Sequence, residues 1–138
     1  MKAKKELNAI YEQSDFEDFL NAYLVCALWS STDGETPLDK NFSIEDFGGE
    51  ALDRAKKDCA QFIKDNKTDL EEYSNEMHSQ EYFGMEKAGH DFWLTRNGHG
   101  AGFWDRGLND LGDRLTESCK GFGESDLYAG DDGKLYFY

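Results

Sequence analysis

The sequence feature that most constrains the fold is an apolar pattern near the start of the chain. Its members recur at intervals of three and four residues, the period of a helix with a wide apolar face. They are Phe16, Phe19, Leu20, Tyr23, Leu24, Ala27 and Leu28. Ser14 or Asp15 provides an N-cap, and Glu17 lies in the first turn, where the helix dipole favours acidic side chains. We expect this to be the central, most buried helix, ending at the polar turn 30–34.

Two further helices are predicted in the first half of the chain. The second runs from about Glu50 to Asn66, with an inward stripe of apolar residues. A third, shorter helix follows from Thr68, which together with Glu71 forms a capping-box pattern. Residues 74–89 have little periodicity and indicate an irregular connection, whose Tyr82 and Phe83 are expected to pack under the following loop.

The character of the chain changes near residue 84, because eleven of the fourteen glycines lie from there onward. Alternating apolar residues predict a short strand from His90 to Arg96. Asn97 and Gly98 both tolerate the positive φ of a hairpin turn, so Gly102–Asp105 is predicted to be the returning strand.

A helix is predicted after Gly107, and a second hairpin pairs Leu127–Ala129 with Lys134–Tyr138 across an Asp-Asp-Gly turn. The predicted fold class is therefore α+β. N-terminal helices pack on a small antiparallel sheet built from two C-terminal hairpins with an intervening helix. We expect one domain over 1–138, with 1–14 as a frayed lead-in or short helix.

Charge limits the classes of partner. The chain carries 29 acidic and 15 basic side chains, a formal net charge of -14. Bare nucleic acid and anionic membrane surfaces repel such a chain. The negative charge is compatible with binding to a basic groove of a protein or with mimicry of the phosphates of DNA. Solubility is the more common reason for a negative net charge. No apolar run approaches transmembrane length.

Neither a metal nor a cofactor is expected. Cys26, Cys59 and Cys119 are widely spaced and form no C-x-x-C pair, which favours reduced, buried thiols in a cytosolic protein. His90 and His99, together with Asp91 or Asp105, are a possible acid–base or metal set, but their spacing is not that of a zinc enzyme. A structural role for His90 is therefore favoured.

The main candidate site is the glycine-rich stretch from Thr95 to Gly102 with its neighbours. Glycines on alternate positions allow the backbone close to a ligand. Guanidinium groups would hold phosphate or carboxylate, aromatic rings would stack, and the amide and imidazole would give orientation. The candidate ligand-binding residues are Trp93, Arg96, Asn97, His99, Phe103, Trp104 and Arg106. In the alternative interpretation the glycines serve only the turn, the tryptophans are core and the arginines pair with carboxylates.

The run from His90 to Gly107, with the segments 23–34 and 126–134 on either side, resembles a family of small hypothetical proteins in tailed-phage genomes. Those proteins carry a similar HDFWLTRN-HGAGFWDRG segment and a similar Y-GDDG ending, and the match covers most of residues 20–136. The resemblance implies a protein made during infection, in the cytoplasm of the host cell. It further implies an accessory factor that acts on host machinery or host defence.

Three functions remain open from the sequence. The first is antagonism of a host system by binding without catalysis. The ligand is then a host defence protein, bound through the acidic surface, or a small nucleotide-like signal, bound through the glycine-rich loop. The second is a small nucleotide-directed hydrolase or transferase, with His99 as the acid–base group and Asp105 orienting it. The third is a structural or DNA-metabolism factor that has no ligand.

Overall fold

A computed structural model describes residues 14–78 and 84–137. Within these residues lie five α-helices: α1 Ser14–Ser30, α2 Gly49–Asp65, α3 Lys67–His78, α4 Gly84–Arg96 and α5 Asp110–Lys120. Short 3-10 helices span Leu38–Lys40, Ile44–Asp46 and Phe103–Asp105. The strands form two antiparallel pairs, β1 Thr32–Asp33 with β2 Thr36–Pro37 and β3 Leu127–Ala129 with β4 Leu135–Phe137. The predicted α+β class is confirmed.

Helix α1 is central, as its apolar pattern predicts, and packs closely against α4. The backbones approach each other at Gly89, where a Cβ atom would lie 2.1 Å from the carbonyl oxygen of Phe19. Aromatic rings fill the space beside this crossing, and the rings of Phe62 and Phe92 stack with centroids 4.3 Å apart. Only glycine at position 89 therefore allows α1 and α4 to pack in this way.

The prediction of a strand from His90 to Arg96 is wrong, because this segment is the second half of α4. The buried residues Ala88, Phe92 and Arg96 recur every four positions and share one helical face. The Asn97-Gly98 pair ends the helix instead of turning a hairpin. The amide of Gly98, at φ 67°, donates to the carbonyl of Thr95 at 3.2 Å, and the amide of His99 donates to that of Leu94 at 3.0 Å. These two bonds form a Schellman motif.

The returning strand predicted over Gly102–Asp105 is also wrong, since Phe103–Asp105 form a single 3-10 turn. The Phe103 ring is fully buried, so this segment folds back onto the core instead of pairing with a strand. The irregular connection predicted over 74–89 is largely helical, with α3 reaching His78 and α4 beginning at Gly84. The packing predicted for Tyr82 and Phe83 lies outside the described residues.

The C-terminal hairpin is confirmed, with Leu127 opposite Phe137 and Ala129 opposite Leu135. Its second strand also reaches the N-terminal half of the chain, because the amide of Gly48 donates to the carbonyl of Leu135 at 3.0 Å. The hairpin β1–β2 begins within the segment 30–34, which is predicted to be a polar turn. The hairpin β3–β4 therefore lies where both halves of the chain meet.

Candidate functional site

Trp93 lies in the core, with only 2% of its surface exposed. Its indole N–H donates to the Ser30 hydroxyl at 2.7 Å, and its ring packs edge-on against Tyr23 at 5.3 Å between centroids. This placement satisfies the single polar atom of the indole. The ring is therefore not available to stack on a ligand in the way that the sequence predicts.

Arg96 is buried and fully engaged within the fold. Its guanidinium forms an ion pair of 2.8 Å with Asp58 and donates to the Tyr23 hydroxyl at 3.0 Å. It also donates to the carbonyl oxygens of Phe122 and Gly123 at 3.0 and 2.9 Å. The group that was predicted to hold an anion instead joins α2, α4 and the segment that follows α5.

Arg106 is anchored in a similar way. Its guanidinium donates to both carboxylate oxygens of Asp91, at 2.7 and 3.2 Å, and the Asp91 side chain is fully buried. The Tyr73 hydroxyl donates to the same carboxylate at 2.7 Å. Burial, and next the charge of Asp91, raise the pKa of Tyr73 well above its usual range, so its hydroxyl remains a donor. Asp91 therefore fixes one end of the loop to the helical core.

The two adjacent aromatic residues of the loop have opposite environments. Phe103 is fully buried, whereas 50% of the Trp104 surface is exposed. The residue before Trp104 is fixed, because the Phe103 amide donates to the Thr95 hydroxyl at 3.1 Å. Gly102, at φ 155°, leaves no room for a side chain, since a Cβ would lie 2.2 Å from that hydroxyl oxygen. Trp104 is thus held outward on a fixed segment.

Asn97 and His99 line a cleft of about 510 Å³, which we call the polar cleft. Residues 30–32, Trp93 and residues 124–128 complete its lining. The side chain of Asn97 is part of the framework of the cleft. Its amide N–H donates to the backbone carbonyl of Trp93 at 3.0 Å, and its amide oxygen accepts from the backbone N–H of Ser125 at 2.7 Å. The structure thus gathers Trp93, Asn97 and His99 at one site and places the other four predicted ligand-binding residues elsewhere.

The histidine–carboxylate set is not assembled as a catalytic or metal site. His90 stacks on Trp29 with centroids 5.8 Å apart, and burial, followed by the charge of Lys87, lowers the pKa of His90. Asp105 is exposed on the 3-10 turn and does not line the cleft that His99 faces. Within residues 14–78 and 84–137, no group of three histidine, cysteine or acidic side chains is placed to hold a metal ion.

The three cysteines are buried free thiols. Burial raises the pKa of Cys26 to about 12, and it also raises the pKa of Cys59 and Cys119 above the usual range. These thiols are therefore protonated at neutral pH and poor nucleophiles. The prediction that the three cysteines are buried thiols agrees with this environment.

Sequence reasoning missed the residues that complete the polar cleft and those that neutralise the arginines. Glu124 and Asp126 come to the cleft from the segment before β3, far along the chain from Ser30 and Thr32. Asp58 is one of 29 acidic residues, and nothing in its spacing singles it out, while the sequence names Asp91 only as a partner of the histidines and not of Arg106. Only the tertiary arrangement identifies them.

No family model, curated protein or solved structure matches the chain. Its activity therefore has to be inferred from the geometry of its own residues.

Proposed function

We propose that this chain is an accessory protein that acts by binding a host protein, with Trp104 as the anchor of its binding surface. The observation that carries the proposal is the 50% exposure of that indole on a loop whose neighbouring residues are fixed. Tryptophan is enriched among the residues that dominate the energy of protein interfaces. A loop backbone that is already held in place loses little further freedom on binding, which favours affinity.

Charge supports a basic partner surface. Three of the four arginines form ion pairs with acidic side chains inside this fold: Arg96 with Asp58, Arg106 with Asp91, and Arg114 with Asp69. The net charge of -14 therefore remains largely uncompensated on the surface. Such a surface accelerates encounter with a basic protein and repels bare nucleic acid.

The biological setting of the proposal comes from the resemblance to small tailed-phage proteins. On that basis the partner is a component of host machinery or host defence, and the chain acts in the cytoplasm of the infected cell. None of the described helices has the length and apolar character needed to cross a membrane.

Binding of a small nucleotide is less well supported. Its phosphates would require Arg96 and Arg106, and both guanidiniums are already held by carboxylates at 2.8 and 2.7 Å. The hydrolase or transferase alternative requires His99 and Asp105 to act together, and only His99 lines the polar cleft. We therefore propose binding of a protein, without turnover, as the function.

The test compares two tryptophans of similar exposure. Trp104→Ala should lower the affinity for the host partner by at least about thirtyfold, which is the size of effect expected for an interface anchor. Trp29→Ala is the matched control, because Trp29 is 47% exposed on α1, and it should leave affinity within about threefold. Biolayer interferometry with the purified partner measures both, at low and high salt. Equal effects of the two substitutions would contradict the proposal.

A second measurement addresses the nucleotide alternative. Ligand that binds only the folded state raises the melting temperature. We expect no shift of the melting temperature with mononucleotides, dinucleotides or cyclic dinucleotides. A saturable shift that Arg106→Gln abolishes would instead favour the nucleotide-binding function.

A further inference from the structure

The polar cleft has a fixed floor. The Trp93 indole N–H bonds to the Ser30 hydroxyl at 2.7 Å, and Asn97 links the Trp93 carbonyl to the Ser125 amide at 3.0 and 2.7 Å. These bonds connect the ends of α1 and α4 to the segment before β3. A site whose framework is held by such bonds is organised before a ligand arrives.

Three polar side chains at the rim of the cleft have no partner among the described residues. The side chains of His99, Glu124 and Asp126 form no hydrogen bond or ion pair with any residue that the structure describes. The Tyr128 ring, 41% exposed, forms part of the wall. The cleft therefore offers two carboxylates, hydroxyl groups and the exposed part of the Tyr128 ring, which also contacts the ring of Tyr136.

The charge of these groups selects the ligand class. The lining contains two carboxylates and neither lysine nor arginine, so an anionic ligand is repelled. A planar guanidinium or an ammonium group finds opposite charge, hydrogen-bond acceptors and an aromatic ring on which to stack. The volume of about 510 Å³ is ample for one such side chain.

We propose that the polar cleft binds an organic cation, a guanidinium or alkyl-ammonium group, between Glu124, Asp126 and Tyr128. The cation is either the side chain of a basic residue in a peptide or a free small molecule. This site is distinct from Trp104 and does not depend on the function proposed above.

The test is an NMR titration of the full chain with three probes. They are methylguanidinium, a capped Ala-Arg-Ala tripeptide, and the same tripeptide with neutral citrulline in place of arginine. We expect saturable shifts at the Ser125 amide and the Asn97 side-chain amide, with citrulline binding about tenfold more weakly than arginine. Tighter binding of the peptide than of methylguanidinium assigns the cation to a protein, and the reverse assigns it to a small molecule.

Two double variants of equal charge provide the control. Glu124→Gln with Asp126→Asn should weaken arginine binding about tenfold, whereas Glu71→Gln with Glu86→Gln removes two exposed charges outside the cleft and should leave it unchanged. The Trp104→Ala variant should bind the probes normally, which separates this proposal from the protein-binding one. Equal binding of citrulline and arginine, or no shift up to about 10 mM, would overturn the proposal.

Discussion

The loop 97–109 and the hairpin segment 123–137 both lie outside the α-helices, but they are held in different ways. The loop depends on a few side chains: Thr95 accepts from the Phe103 amide, and Asp91 accepts from Arg106. The hairpin is held mainly through its backbone, by the β3–β4 pairing. Two of its backbone carbonyls also accept hydrogen bonds from outside the segment, that of Leu135 from the Gly48 amide and that of Gly123 from the Arg96 guanidinium. A few side-chain contacts hold the loop, whereas many backbone hydrogen bonds share the same role in the hairpin. A single substitution should therefore destabilise the loop more than the hairpin.

Removal of the buried acid beneath the loop should have the largest effect. Asp91→Ala leaves the Arg106 guanidinium and the Tyr73 hydroxyl without their shared acceptor. Breaking a buried ion pair in this way costs about 3–5 kcal/mol of unfolding free energy. Urea denaturation followed by circular dichroism measures the change.

The matched control for this prediction is Asp69→Ala, which breaks the more exposed ion pair with Arg114 at 3.1 Å. Exposed pairs contribute about 0–1 kcal/mol, so the control should lose no more than that. If the two substitutions cost the same, Asp91 is not the concentrated anchor of the loop.

A pair of glycines sharpens the comparison of the two regions. Gly102→Ala in the loop should cost about 3 kcal/mol, because the new Cβ meets the Thr95 side chain at 2.2 Å and φ is 155°. Gly133→Ala in the hairpin turn should cost about 1 kcal/mol, since φ is 81° but no atom lies within 4 Å. Denaturation curves of both variants test the difference, and an equal loss would show that backbone strain alone decides the cost.

The sequence predicts elements well where their signals are local. The period of Phe16 to Leu28 predicts α1, and the Asp-Asp-Gly turn predicts the C-terminal hairpin. Asn97-Gly98 misleads because a positive φ serves a helix end as well as a hairpin turn, and only the packing of α4 on α1 decides between them.

The candidate site was less predictable than the fold, because its chemistry depends on distant partners. Arg96 carries the same charge in the sequence whether it faces a ligand or Asp58, which lies 38 residues away. Trp93 and Trp104 likewise look alike, and the bond to Ser30, 63 residues away, holds the first in the core. Such pairings are properties of the assembled fold.

The smallest predicted effect concerns the hairpin and follows from Asp132. Its carboxylate accepts hydrogen bonds from the Tyr136 hydroxyl and from the Lys134 amide, and these, in that order, lower the pKa of Asp132 below 3.8. A carboxyl whose pKa is depressed in the folded state stabilises it above the unfolded pKa. That contribution is lost as the pH falls through the folded value. We therefore expect the hairpin to loosen slightly below about pH 4, without unfolding of the helices.

Cross-strand NMR contacts between the rings of Tyr128 and Tyr136, whose centroids lie 5.8 Å apart, report this loosening as the pH is lowered. Asp132→Asn should remove the pH response, because the amide does not titrate in this range. Asp131→Asn, at the neighbouring exposed position of the turn, should leave the response intact. If the contacts weaken equally in all three proteins, the acid sensitivity arises elsewhere. The backbone ladder would then hold the hairpin without measurable help from the Asp132 carboxylate.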